Sequence, residues 1–384
     1  MLFNSFIYWL FLPVAALVFY SIPGKLQWLW LLLCSTFFYY TLLPVYLILF
    51  GVLVLLNYYL GITIERAGVK KMHVFIFSIC LNIIALAFFK YFGFFARLFD
   101  DIKGNSNNDH LLKIILPVGL SFFTFTVLSY LIEVRRGTIK AEKHLGVFAS
   151  SLLFFPKIMQ GPIEKPINIF RQFREIKRFN YDQVVEGLKL ILWGLFKKLV
   201  VADRLALYVN AVYDNYENHS GLSLAIATIL YSFQIYADFS GYTDIALGSA
   251  KVLGFNLTNN FKRPYFANSV KEFWNRWHIS FSVWLRDYLF LPLAVIFTGK
   301  MKKTKYLGIA VEKWIFMFVT MITFSVCGIW HGEGLNFLAW GLLFGAYLTI
   351  ANWTFSISKK IRKSWNISKR SVSYRVYSIV VTFL

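Results

Sequence analysis

Residues 26–64 read LQWLWLLLCSTFFYYTLLPVYLILFGVLVLLNYYLGITI, a run without a single Asp, Glu, Lys or Arg. A membrane-crossing helix needs about 20 mostly apolar residues. This run is long enough for two such helices, and Pro44 marks the break between them. Charge-free runs recur at 1–24, 114–132, 219–237, 314–332 and 334–358. Weaker runs lie at 73–89, 145–156, 188–202 and 288–299. Together they predict an all-α polytopic membrane protein with about ten spanning or re-entrant segments.

Composition agrees. Hydrophobic residues make up 58% of the 384 and charged residues 15%, with a mean hydropathy of +0.58. A soluble domain carries about 25% charge, so the natural solvent for this chain is a bilayer. The net charge of +21 comes from 40 basic and 19 acidic residues. Lys and Arg crowd the short loops, as in cytoplasmic loops, where anionic membrane lipid attracts them. With no soluble basic domain, the charge does not indicate nucleic acid. Cys34, Cys80 and Cys327 are far apart inside apolar runs, which argues against disulfides and against a zinc site.

The first run lacks a basic leader and a clear cleavage site, so it reads as an uncleaved span. Lys25 follows it and no basic residue precedes it, which predicts an outward N-terminus. The chain stops at Leu384 inside a new apolar run. The expectation is a single integral membrane domain over 1–384, incomplete at its C-terminus.

Between the runs, Asp100–Asp109 reads as a solvent loop and Arg135–His144 as a basic one. Phe155–Ile163 (FPKIMQGPI) places two prolines and a glycine at membrane depth. Such breaks are tolerated where protein or a wet cavity satisfies the backbone. Glu164–Glu186 alternates basic and aromatic residues and predicts an interfacial helix.

Polar groups inside membrane segments are costly and therefore suspect. Three stretches stand out. In Gln234–Asp244, Asp238, Ser240 and Tyr242 either line a polar cavity or form a buried network that ties helices together. In Glu272–Tyr288, Asn275, Arg276, Trp277 and His278 read either as a helix lining a wet funnel or as an aromatic belt at the interface. In Gly328–Gly334, His331 follows Trp330 between glycines, where the backbone leaves room for a ligand. Imidazole suits general base work near neutral pH, so His331 is the leading candidate. His73, His110, His144 and His219 lie in loops or at span ends, and no metal-ligand spacing is present.

These stretches resemble the membrane-bound O-acyltransferase family, and within it the branch that acetylates alginate. The resemblance rests on FPKIMQGPI at 155–163, including Gln160, and on QIYADFSGYTDIALG at 234–248. It continues through LGFNLTNNFKRPYFANSVKEFWNRWHISFSVWLRDYLFLPL at 253–293 and CGIWHG at 327–332. It implies helices ringed around a central tunnel, with His278 and His331 facing it and His331 as the base. It further implies acetyl-CoA as acyl donor, a bacterial cytoplasmic membrane location and an exopolysaccharide acceptor. An extracytoplasmic SGNH-type acetyltransferase or polysaccharide assembly proteins would be the partners. Arg171, Arg174, Lys177 and Arg263 are candidates for the CoA phosphates. Two departures, Ala294–Lys300 and Glu333 after the WHG motif, leave the acceptor open. D-alanyl transfer to teichoic acid is the nearest alternative, because that branch has a similar WNRWH block. Outside enzymes, a transporter with a histidine-lined path or an idle membrane scaffold would also place histidines there.

Overall fold

The computed structural model describes residues 1–66, 71–102, 115–368 and 370–383. Helices make up most of it and there is almost no sheet, as the charge-free runs predict. Among the described residues six helices are long and apolar enough to cross a membrane: Tyr46–Arg66, Met72–Arg97, Gly221–Val252, Ile279–Lys300, Val311–His331 and Leu335–Ser364. Two compact units contain the chain, the first of residues 1–89 and 115–259, the second of 90–114 and 260–384.

The first unit opens with α1 (Phe6–Ser21), α2 (Gln27–Tyr40) and α3 (Tyr46–Arg66), so the 26–64 run breaks beside Pro44. Helix α4 (Lys71–Ile102) begins here and runs into the second unit. It absorbs Asp100–Ile102, which the sequence assigns to a solvent loop; 103–109 and His110 lie outside the described residues. Next come α5 (Leu120–Arg136), α6 (Leu145–Leu153), α7 (Phe155–Ile158) and α8 (Pro166–Arg174). Helices α9 (Tyr181–Leu195), α10 (Asp203–Tyr213) and α11 (Gly221–Val252) complete the unit. Its core is aromatic: Phe3, Tyr8, Phe38, Phe154, Phe155 and Phe255 are fully buried.

The predicted interfacial helix over 164–186 is two helices instead. Helix α8 ends before Glu175, whose backbone is extended, and Asn180 caps α9 by accepting the Gln183 N–H. Long-range bonds enforce the break, because Gln27 accepts the Lys177 N–H and donates to its carbonyl.

Helices in lipid associate through close packing of small residues rather than through hydrophobic exclusion. Helices α9 and α11 do this with glycines seven residues apart. A Cβ on Gly187 would lie 2.8 Å from the Gly248 carbonyl oxygen, and one on Gly194 would lie 2.6 Å from that of Gly241.

In the second unit come α12 (Val270–Trp274), α13 (Ile279–Leu285), a π-helical turn (Arg286–Phe290) and α14 (Leu291–Lys300). Residues 279–300 thus form one 22-residue span. Strands β1 (Lys305–Tyr306) and β2 (Ile309–Ala310) pair antiparallel. Leu307 and Gly308 between them both take positive φ, as a two-residue hairpin turn requires. That hairpin returns the chain into α15 (Val311–His331), 21 residues long. Helices α16 (Leu335–Ser364) and α17 (Val372–Phe383) follow.

Candidate active site

The hairpin of two matched spans decides where the histidines go. At 1.5 Å per residue, 279–300 and 311–331 are about 33 and about 32 Å long. They run antiparallel: Phe297 packs on Phe318, Phe290 on Phe316 and Phe281 on Trp330. His278 caps the start of the first span and His331 ends the second, so equal lengths bring both to the same end.

Phe281 lies between them. Its ring centroid is 5.0 Å from that of His278, 4.5 Å from Trp330 and 6.5 Å from His331. Trp340 from α16 stands 4.8 Å from His331 on the other side, nearly perpendicular. His278 is buried (3%), whereas His331 is exposed at the helix end.

His278 holds a left-handed backbone, φ 43° and ψ 53°. For an L-residue with a Cβ this costs about 1–2 kcal/mol and marks a constrained site. Asn260, fully buried, enforces it. Its carbonyl accepts the Ile279 N–H at 2.9 Å and its side-chain oxygen accepts the Ser280 N–H at 3.0 Å.

Glycines let α16 press against the histidine-bearing end of α15. A Cβ on Gly328 would lie 2.3 Å from the Phe337 carbonyl oxygen, and one on Gly341 would lie 2.2 Å from that of Phe324. Trp353 donates its indole N–H to Lys313 at the far end.

The other expected residues divide. Asn275 is exposed at the end of α12. Arg276 pairs with Glu272, which also accepts from Asn268 at 2.9 and 3.1 Å. Burial opposes ionisation of Glu272, but Asn268 and Arg276 outweigh it and hold its carboxyl below the usual carboxylate range. Trp277 stacks on Phe273 at 5.6 Å.

Asp238, Ser240 and Tyr242 belong to the first unit, on α11, which runs unbroken through them. Lys198 on the π-helical turn Phe196–Ala202 bridges Asp238 and Asp203, and Lys197 reaches Ser240 at 3.0 Å and Asp244 at 2.6 Å. Tyr242 is buried against Phe3. These contacts tie the π-helical turn to α11. Gln160, also in the first unit, is exposed after α7.

Three of the four basic candidates have side chains that are engaged as well. Arg171 and Lys177 pair with Glu175, Arg174 pairs with Glu142, and Arg263 offers its carbonyl to Arg276.

A cavity of about 1340 Å³ opens within the second unit. Neither histidine lines it. One end carries Arg362, Tyr374 and Arg375, and the other reaches Asn275, Phe324 and Trp274. Trp274 contacts Trp340, which contacts His331, so one indole ring separates that end from the imidazole. Trp274 Nε1 and Thr320 Oγ1 are buried there without a hydrogen-bond partner among the described residues.

Against this geometry stand the comparisons with known proteins. The profile of MBOAT, the membrane-bound O-acyltransferase family, matches residues 145–370, which include both histidines. The chain belongs to the membrane-bound O-acyltransferase family. It is 33% identical over 356 residues to a probable alginate O-acetylase AlgI of Pseudomonas aeruginosa, covering 91% of this chain and 66% of that relative. It is 31% identical to the peptidoglycan O-acetyltransferase of Helicobacter pylori, over 91% of this chain and 70% of that protein. The teichoic acid D-alanyltransferase of Bacillus subtilis is 27% identical over 71% of this chain and 67% of its own length. The chain thus spans about two thirds of the length of these relatives. This MBOAT protein is membrane-embedded and multi-pass, and the family's reaction is acyl transfer to a hydroxyl.

Several residues around the histidines escape the sequence reading. Trp340 lies outside the motifs, and Asn260 and Phe281 sit within the 253–293 stretch with nothing in their residue type that singles them out. Lys90, Tyr91 and Arg97 on α4 also reach the Ile329–Glu333 segment. A lysine inside an apolar span is the one signal that could have found this group.

Proposed function

We propose that this protein is an O-acetyltransferase that carries acetyl groups from cytoplasmic acetyl-CoA towards a cell-surface polysaccharide. The observation that carries the reading is the cavity that leads from the Arg362 and Arg375 end to within one ring of His331. A pantetheine-like arm fits such a passage, with guanidinium groups at its mouth for phosphate. Trp274 Nε1 and Thr320 Oγ1 are donors for its carbonyl groups.

His331 acts as the base. Its neutral imidazole accepts the proton of the acceptor hydroxyl while that oxygen attacks the thioester carbonyl. The tetrahedral oxyanion collapses, the C–S bond breaks and the CoA thiolate leaves, taking the proton from the imidazolium. The products are an O-acetyl ester and CoA. The thioester is already activated, so positioning and charge stabilisation suffice. His278, held rigid by Asn260, is the second polar group at the reacting centre. Asn275, Arg276, Trp277 and Trp330 shape the approach.

The location is a bacterial cytoplasmic membrane with the N-terminus outside, which puts the basic loops on the acetyl-CoA side. An outer-face SGNH-type acetyltransferase then passes the group to the polymer. The similarity to alginate and peptidoglycan acetylating relatives over 91% of the chain favours acetyl over D-alanyl transfer.

The test supplies membranes carrying the protein with radiolabelled acetyl-CoA or with a D-alanyl carrier protein. Label released as acetate by mild base from surface polymer supports the reading. Incorporation from the D-alanyl carrier alone would replace it with the alternative branch.

A further inference from the structure

The sequence run at 73–89 stops at Lys90, yet α4 continues through that residue to Ile102. An ammonium therefore stands inside a helix whose stretch Met72–Arg97 is long and apolar enough to cross a membrane. A cation there is costly unless it has a partner and a purpose. Lys90 has a partner: its Nζ lies 5.2 Å from the centroid of the Trp330 ring. The adjacent Tyr91 donates its hydroxyl to the Ile329 carbonyl. Arg97, seven residues beyond Lys90 and so on the same face of α4, pairs with Glu333. Residues 329, 330 and 333 are thus held by α4, and His331 lies between them.

This grip has a physical reason. His331 ends α15, and the chain leaves it through Gly332 and Gly334. Glycine gives the backbone wide freedom, and the capping position offers no side chain to hold the last turn. Without an outside hold, the imidazole could swing with the helix end. Misplacing a catalytic group by about 1 Å costs about 100-fold in rate.

We propose that Lys90 is a positioning residue for acyl transfer: its ammonium on the face of Trp330, with Tyr91 and Arg97 on either side, sets the orientation of His331. This rests on the reading of His331 as the base. The cation matters beyond the bulk of its stem, because a ring face attracts an ammonium and not a methyl group.

Three forms of the full chain decide it: wild type, Lys90→Met and Lys90→Arg. Methionine keeps the apolar stem and removes the charge; arginine keeps a cation over the indole. Acetyl transfer is followed in membranes at matched protein abundance with acetyl-CoA varied. Backbone hydrogen exchange across residues 329–333 is followed on the detergent-purified protein. Lys90→Met is expected to lose about 10-fold or more in kcat with KM within about 2-fold, and to exchange faster at 329–333. Lys90→Arg is expected to restore most of the rate and the slow exchange. Wild-type exchange in Lys90→Met, or an arginine variant as impaired as the methionine one, would overturn the proposal. Faster exchange in Lys90→Met beside a wild type that transfers no acetyl group would support the grip and overturn the acetyl-transfer reading.

Discussion

His278 and His331 share one wall, the ring of Phe281, at 5.0 and 6.5 Å between centroids. One imidazole is buried and the other exposed, and they come from the start of the first helix and the end of the second in a helical hairpin. Phe281→Ala removes that wall and leaves a gap beside both. The variant is expected to lose about 3 kcal/mol of stability and to lower acyl transfer more than Phe281→Leu does. Melting in detergent, paired with transfer assays on the folded fraction, checks both.

The hold on His278 depends on Asn260, whose side-chain oxygen accepts the Ser280 N–H. Asn260→Ala leaves that buried donor unsatisfied and should cost about 1–2 kcal/mol. Asn260→Asp retains the acceptor oxygen and should lose less activity than the alanine variant. Equal losses from the two would mean that the hydrogen bond does not set the turn.

Glycine contacts offer a sharp internal comparison. Gly341→Ala would drive a methyl group against the Phe324 carbonyl and part α15 from α16, lowering stability by about 1–3 kcal/mol. Gly51→Ala, on α3, meets nothing within 4 Å and should be neutral or stabilise by up to about 1 kcal/mol. Thermal unfolding of the two variants side by side reads the difference.

Lys197 and Asp244 form a 2.6 Å ion pair with side chains 11% and 19% exposed. Lys197→Met leaves a carboxylate without its counter-charge and should cost about 3 kcal/mol. Adding Asp244→Asn should recover much of that loss, because breaking half a buried pair is worse than removing both members. Non-recovery in the double variant would show that Lys197 acts through Ser240 instead.

Much of this architecture is legible in the chain. The break beside Pro44 follows from the sequence, but of the two helices around it only Tyr46–Arg66 reaches spanning length, since α2 is 14 residues. His331 is conspicuous because it closes a charge-free run between glycines. The charge rule also misleads, since it ends the fourth helix at Lys90. A charge paired with a ring face in the folded protein looks the same in sequence as a charge in a loop. It likewise leaves Asp238–Asp244 open between cavity and network, because the neutralising lysines lie about 40 residues earlier on another element. The meeting of His278 with His331 needs the matched lengths of two spans and a hairpin turn, information no local motif holds.

The most direct test of the account is surface acetyl-ester content and acetyl-CoA consumption in cells carrying His331→Ala beside wild type, at matched membrane abundance. General base loss predicts a fall of about 100-fold or more with the protein still inserted and folded. Acetylation that persists unchanged in His331→Ala would contradict the assignment of the base.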